Sequence, residues 1–202
     1  MVVVRPLIEH YHYLHSMPAA ASRCFGVYLG RRLKGAVVLT PGARNGHRVL
    51  AAARHADVLT LARLWLSDDL PKNSESRVLG IVLRMLRREG RPKAVLTYAD
   101  PAAGHLGTIY MASGFRYLGQ SPPEPYVAFA DGSRCHPRSV FSRYGSNAIR
   151  HLRATGVPLV GRTWVPGKHR FLYVLDRAWV WRIRDGTAGR GPPHRPASST
   201  NG

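Results

Sequence analysis

The stretch from Asp57 to Tyr98 constrains the fold more than any other part of the chain. DVLTLARLWL (57–66) is a run rich in Leu and Trp that reads as a central strand, although its residues also have some helical propensity. Pro71-Lys72-Asn73-Ser74-Glu75-Ser76 ends that strand and opens a helix, with Ser74 expected as its N-cap. Leu79, Val82, Leu83 and Leu86 then recur at helical spacing and define a face to be buried. Arg77, Arg84 and Arg88 fall on the other side as a basic stripe. Gly90-Arg91-Pro92 stops the helix, and Lys93 to Tyr98 returns as a second buried strand. A strand, a helix and a strand in this order call for an α/β protein.

The flanking segments extend that pattern. Pro6 to Ser16 carries Leu7, Tyr11 and Leu14 at the spacing of a short helix. Cys24–Leu29 and Leu33–Thr40, joined by Gly30-Arg31-Arg32, read as a hairpin. After Asp100-Pro101, at the carboxyl end of the second strand, a helix is expected over Gly104–Ser113, closed by Gly114. Strands are expected at Phe115–Leu118, Tyr126–Phe129, Arg162–Val165 and Phe171–Leu175, with a helix from Pro137 towards Arg153. The Gly/Pro/Ser-rich residues 185–202 read as a disordered tail, leaving one domain over 1–184 whose part 131–184 is a basic C-terminal extension.

Charge sets the choice of partner. The chain has 202 residues, and 30 Lys and Arg stand against 11 Asp and Glu, a net +19. That excess draws polyanions and gives sequence-independent affinity for phosphate backbones. Residues 1–130 carry +9 and residues 131–202 carry +10, so the shorter part is denser in charge. Trp164, Phe171, Tyr173, Trp179 and Trp181 are interleaved there, a composition compatible with contact to nucleic acid. Cys24 and Cys135 fit no zinc or redox spacing, which implies reduced thiols and a cytoplasmic setting. The opening Met-Val-Val-Val is too short for a signal sequence, and no apolar run is long enough to span a membrane.

The order of hairpin, central strand, turn and helix, strand, helix ending in Gly114-Phe115, then hairpin resembles that of the GNAT acyltransferases. Their usual pyrophosphate loop, Gln/Arg-x-x-Gly-x-Gly/Ala, is replaced here by Pro71–Ser76. That departure narrows the resemblance. RLWLSDDLPKNSESRVLG (63–80), TYADPAAGHLGTIYMASGF (97–115) and PGKHR (166–170) together resemble the Mom family of bacteriophage DNA-modification proteins. Such proteins alter the N6 amine of adenine so that restriction enzymes no longer cut. The resemblance runs from about residue 8 to 175 and implies a GNAT-like mixed central sheet flanked by helices.

What the resemblance implies is specific. Asp100 and Tyr110 match functionally required residues of the family. Arg63 and Asn73-Ser74-Glu75-Ser76 lie where acetyl-CoA or a related acyl-CoA and its phosphates would be held. Apart from the resemblance, the basic stripe Arg77, Arg84 and Arg88 and the cations Lys168, His169 and Arg170 are the candidates for holding double-stranded DNA, from which the adenine would be flipped out, although 168–170 could also be an exposed strand end. The family product, a methylcarbamoyl group, contains a nitrogen that plain acetyl transfer does not supply, and iron is implied, with His12 and Tyr13 as candidate ligands. Each residue also has an ordinary reading. Asp100 could cap a turn, Tyr110 could pack on the sheet, and Arg63 needs an acid such as Asp57 in an apolar strand. An ordinary GNAT acetyltransferase and a non-catalytic nucleic-acid-binding protein are the competing functions.

Overall fold

The computed structural model describes residues 3–42 and 45–184; the expected tail, 185–202, lies outside them. Among the described residues are nine strands: β1 Arg23–Leu29, β2 Arg32–Pro41, β3 Val58–Leu66, β4 Ala94–Ala99, β5 Arg116–Gln120, β6 Glu124–Phe129, β7 Arg134–Cys135, β8 Leu159–Val165 and β9 His169–Val174. The α-helices are α1 Arg5–Tyr11, α2 Ser74–Glu89, α3 Thr108–Ala112, α4 Pro137–Tyr144 and α5 Ile149–Ala154. The chain divides into two compact units. The larger takes in residues up to Ala99, Leu106–Gly119 and the chain from His169; the smaller is Asp100–His105 with Gln120–Lys168.

The larger unit is built on a six-stranded mixed sheet in the order β1-β2-β3-β4-β9-β5. β1, β2 and β3 pair antiparallel, β3 and β4 pair parallel, and β9 runs antiparallel to β4. The parallel pair needs a crossover, and α2 is that crossover. Its four apolar positions, Leu79, Val82, Leu83 and Leu86, are all buried against Leu59, Leu61, Val95 and Phe171 on one face. The alternating residues Val58, Leu96 and Leu172 pack on the opposite face with Val49 and Leu50. The α/β class and mixed central sheet expected from the sequence are therefore what the chain forms.

The smaller unit is a three-stranded antiparallel sheet, β7-β6-β8. Val127 and Phe129 of β6 meet Val140 of α4 and Leu152 of α5 in its own core.

Two helices differ from expectation. The helix expected over 104–113 is only α3, preceded by a 3-10 turn at Pro101–Ala103. Gly104 and Gly107 both hold left-handed backbone, at φ 74° and 76°, which breaks a right-handed helix twice in four residues. The helix expected from Pro137 to Arg153 is two helices, α4 and α5, interrupted over Gly145–Ala148.

Candidate functional site

The start of α2 offers backbone donors. Asn73, not Ser74, occupies the cap position; it is left-handed (φ 64°) and its side chain makes no capping hydrogen bond. The expectation that Ser74 caps the helix is thus corrected. The Ser74 hydroxyl donates back to the Pro71 carbonyl at 2.6 Å, and the Ser76 hydroxyl donates to the Asn73 carbonyl at 3.0 Å. The first helical hydrogen bond runs from the Arg77 N–H to the Asn73 carbonyl. The N–H groups of Glu75 and Ser76 precede that bond and sit at the positive end of a 16-residue helix.

Arg63 does not meet Asp57. Its Nε donates to the Ser16 carbonyl at 3.0 Å, one terminal nitrogen to the Ala62 carbonyl at 2.8 Å, and the other to the Ser16 hydroxyl at 3.4 Å. Asp57 is taken by Arg54, whose backbone N–H lies 2.7 Å away. Backbone oxygens therefore do for Arg63 what a carboxylate was expected to do. Burial pushes the Arg63 pKa down, partly opposed by Tyr13. Among the described residues, three of its five N–H donors are committed in this way.

Asp100 follows β4 and does cap a turn: one carboxylate oxygen accepts the Ala102 N–H at 3.0 Å. Its backbone carbonyl takes the N–H groups of Ala103 and His105. The other carboxylate oxygen lies 3.7 Å from Nζ of Lys168, and both side chains are sheltered, 20% and 34% exposed. Around them in the smaller unit are Glu124, Tyr126 and His136. The Tyr126 phenol is pushed up first by burial and then by the charges of Asp100 and Glu124. His136 meets the Tyr126 ring edge-on at 5.5 Å, and burial pushes its pKa down, with Glu124 opposing. Tyr126, His136 and Glu124 escaped the sequence reading, because nothing in spacing joins residues 100, 124–136 and 168.

Tyr110 lies in the larger unit on α3. Its ring packs on Phe115 at 5.7 Å and Phe171 at 5.4 Å, so the packing role is real. Burial pushes its phenol up, partly opposed by the Thr97 hydroxyl, and the net upward shift keeps it protonated.

The DNA candidates separate. Arg77, Arg84 and Arg88 are all exposed along α2. His169 is buried, with its Nδ1 2.9 Å from the Tyr117 hydroxyl, and Arg170 donates to the Leu118 carbonyl at 3.0 Å. His169 is therefore not placed to touch a phosphate backbone, and Lys168 faces Asp100. In the smaller unit, Arg134, Arg138, Arg143, Arg150, Arg153 and Arg162 are all exposed. Trp164 is 69% exposed on β8.

A metal does not fit the two residues expected to hold it. His12 ends α1, is buried, and already accepts the Leu14 N–H on Nδ1 at 3.1 Å. Tyr13 stacks on it at 4.6 Å, and among the described residues no three His, Cys, Asp or Glu side chains gather to hold a metal ion. Two clefts, of about 380 and 580 Å3, lie beside Gly90 and Pro92 in the larger unit, and none of the candidate residues lines them.

The strand order and the two motif junctions define an α/β protein of mixed central sheet. More narrowly, the chain belongs to the Mom protein family, whose family model matches residues 3–188. It is 32% identical over 162 residues to the methylcarbamoylase Mom of Escherichia phage Mu. That match covers 78% of this chain and 63% of the relative, so the chain spans less than two thirds of the length of that protein. Among solved structures it is similar to a spermidine N-acetyltransferase from Vibrio cholerae in complex with CoA and spermine (10% identity, TM-score 0.46, 85% of this chain and 83% of that one). It is also similar to a Bacillus subtilis acetyltransferase in complex with CoA (13%, TM-score 0.42, 84% and 82%). Among the described residues no helix is long and apolar enough to cross a membrane.

Proposed function

We propose that this chain is a DNA-modifying enzyme that converts adenine in double-stranded DNA to N6-methylcarbamoyladenine and so protects phage DNA from host restriction. The observation that carries the reading is the family match over residues 3–188, which includes both long motifs. The net charge of +19 supports a polyanionic substrate.

The chemistry follows from the amine. The adenine N6 lone pair is delocalised into the ring, so it must be oriented and lose a proton as it attacks a carbonyl. Asp100 accepts that proton or the hydrogen bond that precedes it. Tyr110, protonated at neutral pH, donates to the departing thiolate or to the acyl group. The N–H groups at the start of α2 take the pyrophosphate of acetyl-CoA or a related acyl-CoA, with Arg63 beside them in the assignment. Because the reacting amine is hidden in the duplex, the base is flipped out, and Arg77, Arg84 and Arg88 hold the backbone. That transfer balances as an N6-acyl adenine and free CoA. The nitrogen that distinguishes the methylcarbamoyl product would have to come from a further donor in a separate step, and no residue is assigned to that step or to iron, which His12 and Tyr13 do not fit. The cytoplasm, where DNA and acyl-CoA coexist, is the setting.

Nucleoside mass spectrometry on DNA from bacteria expressing the protein tests this. A deoxyadenosine heavier by one methylcarbamoyl unit is expected. Plain deoxyadenosine, with expression confirmed, would sink the reading in favour of an ordinary acetyltransferase or a binding protein, and CoA binding separates those two.

A further inference from the structure

Lys168 reads most simply as one more DNA-contacting cation, and its surroundings argue otherwise. Its backbone is clamped from both sides by one residue. The Lys168 N–H donates to the Ser121 hydroxyl at 2.9 Å, and the Ser121 N–H donates to the Lys168 carbonyl at 2.9 Å. The preceding residue, Gly167, is buried so close to this clamp that a Cβ there would overlap the Ser121 carbonyl oxygen. No residue with a side chain fits. The fold thus commits a serine hydroxyl, a backbone pair and a glycine to the placement of one lysine, and that lysine's ammonium faces Asp100 Oδ2 at 3.7 Å.

We propose that Lys168 is a positioning residue for Asp100, held by the Ser121–Gly167 clamp so that the carboxylate presents a fixed face to the substrate amine. The inference rests on the role assigned to Asp100 under the proposed function. One carboxylate oxygen is tied to the Ala102 N–H and the other is drawn to Lys168, which fixes the plane of the group. Two anchors still leave acceptor capacity on both oxygens, since a carboxylate offers about four lone-pair sites. Tyr126, His136 and Glu124 complete the charged and polar surroundings of the pair.

The test uses two readouts. The first compares Lys168→Met and Lys168→Arg with the unaltered protein for kcat, KM for duplex DNA, and the salt dependence of DNA affinity. Lys168→Met should lower kcat by roughly 30-fold, a part of the roughly 10²–10⁴-fold that a general base contributes, with affinity and salt slope unchanged. Lys168→Arg should recover part of the loss, which a folding defect would not grant selectively to a cation. A salt slope reduced by about 0.9 with kcat intact would overturn the proposal and make Lys168 a phosphate contact. The second readout exploits the scarcity of lysine: Lys34, Lys72, Lys93 and Lys168 are the four in the chain, so 13Cε-lysine labelling gives four resolvable NMR signals. Asp100→Asn should move the Lys168 signal and leave the other three; an unmoved signal would refute the pairing. If the unaltered protein modifies no DNA, the proposed function fails by itself, and the NMR arm still decides whether Lys168 and Asp100 act together.

Discussion

Two strand ends in this molecule present polar groups in opposite ways. After β3, the chain turns through Pro71–Asn73 into α2, and what it offers is backbone: the N–H groups of Glu75 and Ser76 ahead of the first helical bond. Both serine hydroxyls there are spent on carbonyls of the same turn. After β4, the chain offers a side chain, Asp100, whose neighbour Lys168 comes from 68 positions further along the chain. The first junction is local and tolerant, because a helix start exposes its donors whatever side chains it carries. The second is non-local, and its geometry fails if any distant contributor moves.

The largest contrast should appear in catalysis. Asp100→Asn keeps the shape but removes the proposed proton acceptor, so kcat should fall by about 10²–10⁴-fold with DNA affinity held within about threefold. Ser76→Ala, at the other junction, deletes only a hydroxyl that donates to Asn73, and kcat should change by less than about threefold. Single-turnover modification of duplex DNA measures both. Equal losses in the two variants would erase the distinction between a side-chain site and a backbone site.

Stability gives the next largest effect. The chain leaves the Asp100 turn through Gly107, where φ is 76° and a Cβ would overlap the buried Phe171 ring. Gly107→Ala should cost about 3 kcal/mol, combining overpacking with a left-handed alanine. Gly90→Ala, at the end of α2, meets the same backbone demand (φ 69°) with nothing nearby, and should cost only about 1 kcal/mol. Urea denaturation measures the difference, which isolates the crowding peculiar to the second motif.

The same contrast explains what could be read from the residues alone. The face of α2 was legible because Leu79, Val82, Leu83 and Leu86 repeat with the helix period, and the sheet because its strands are apolar runs between breakers. The β1–β2 hairpin was marked by Gly30 at its turn. Periodicity says nothing about a residue whose partners are distant in sequence. Arg63 plainly needed a partner, yet no pattern points to the Ser16 carbonyl in place of Asp57. Lys168 sits in a basic run, PGKHR, where only Gly167 hinted at a close approach. In that run the structure buries His169 and points Arg170 at a carbonyl, so a run of cations was a poor guide to exposure. The helix over 104–113 failed for a local reason: Gly104 and Gly107 take left-handed backbone that composition alone does not reveal.

A smaller effect should appear with pH. Burial pushes the pKa of His169 down, and that of His136 too, so the fold holds both rings in the neutral form more strongly than the unfolded chain does. Below the unfolded value of about 6.5, and down to the folded values, the unfolded chain binds more protons and stability falls as pH falls. Each histidine contributes at most about 1.4 kcal/mol per pH unit in that window. His169→Asn retains a side-chain amide near the Tyr117 hydroxyl and should flatten part of the slope between pH 6.5 and 5.5. An unchanged slope would show that protonation of His169 is not coupled to unfolding.

The smallest effect is also the most discriminating for the α2 junction. Asn73 holds a left-handed backbone with a side chain that makes no capping bond, so Asn73→Gly removes no capping hydrogen bond and relieves a mild conformational strain. The added freedom of glycine in the unfolded chain offsets that relief, and the net change in stability should lie within about 0.5 kcal/mol of zero. If backbone N–H groups alone hold the cofactor phosphates, affinity for CoA should also stay within about twofold. A tenfold loss of CoA affinity at unchanged stability would show instead that the Asn73 side chain reaches the ligand. The first junction would then resemble the second, a site made of side chains on a backbone that merely presents them.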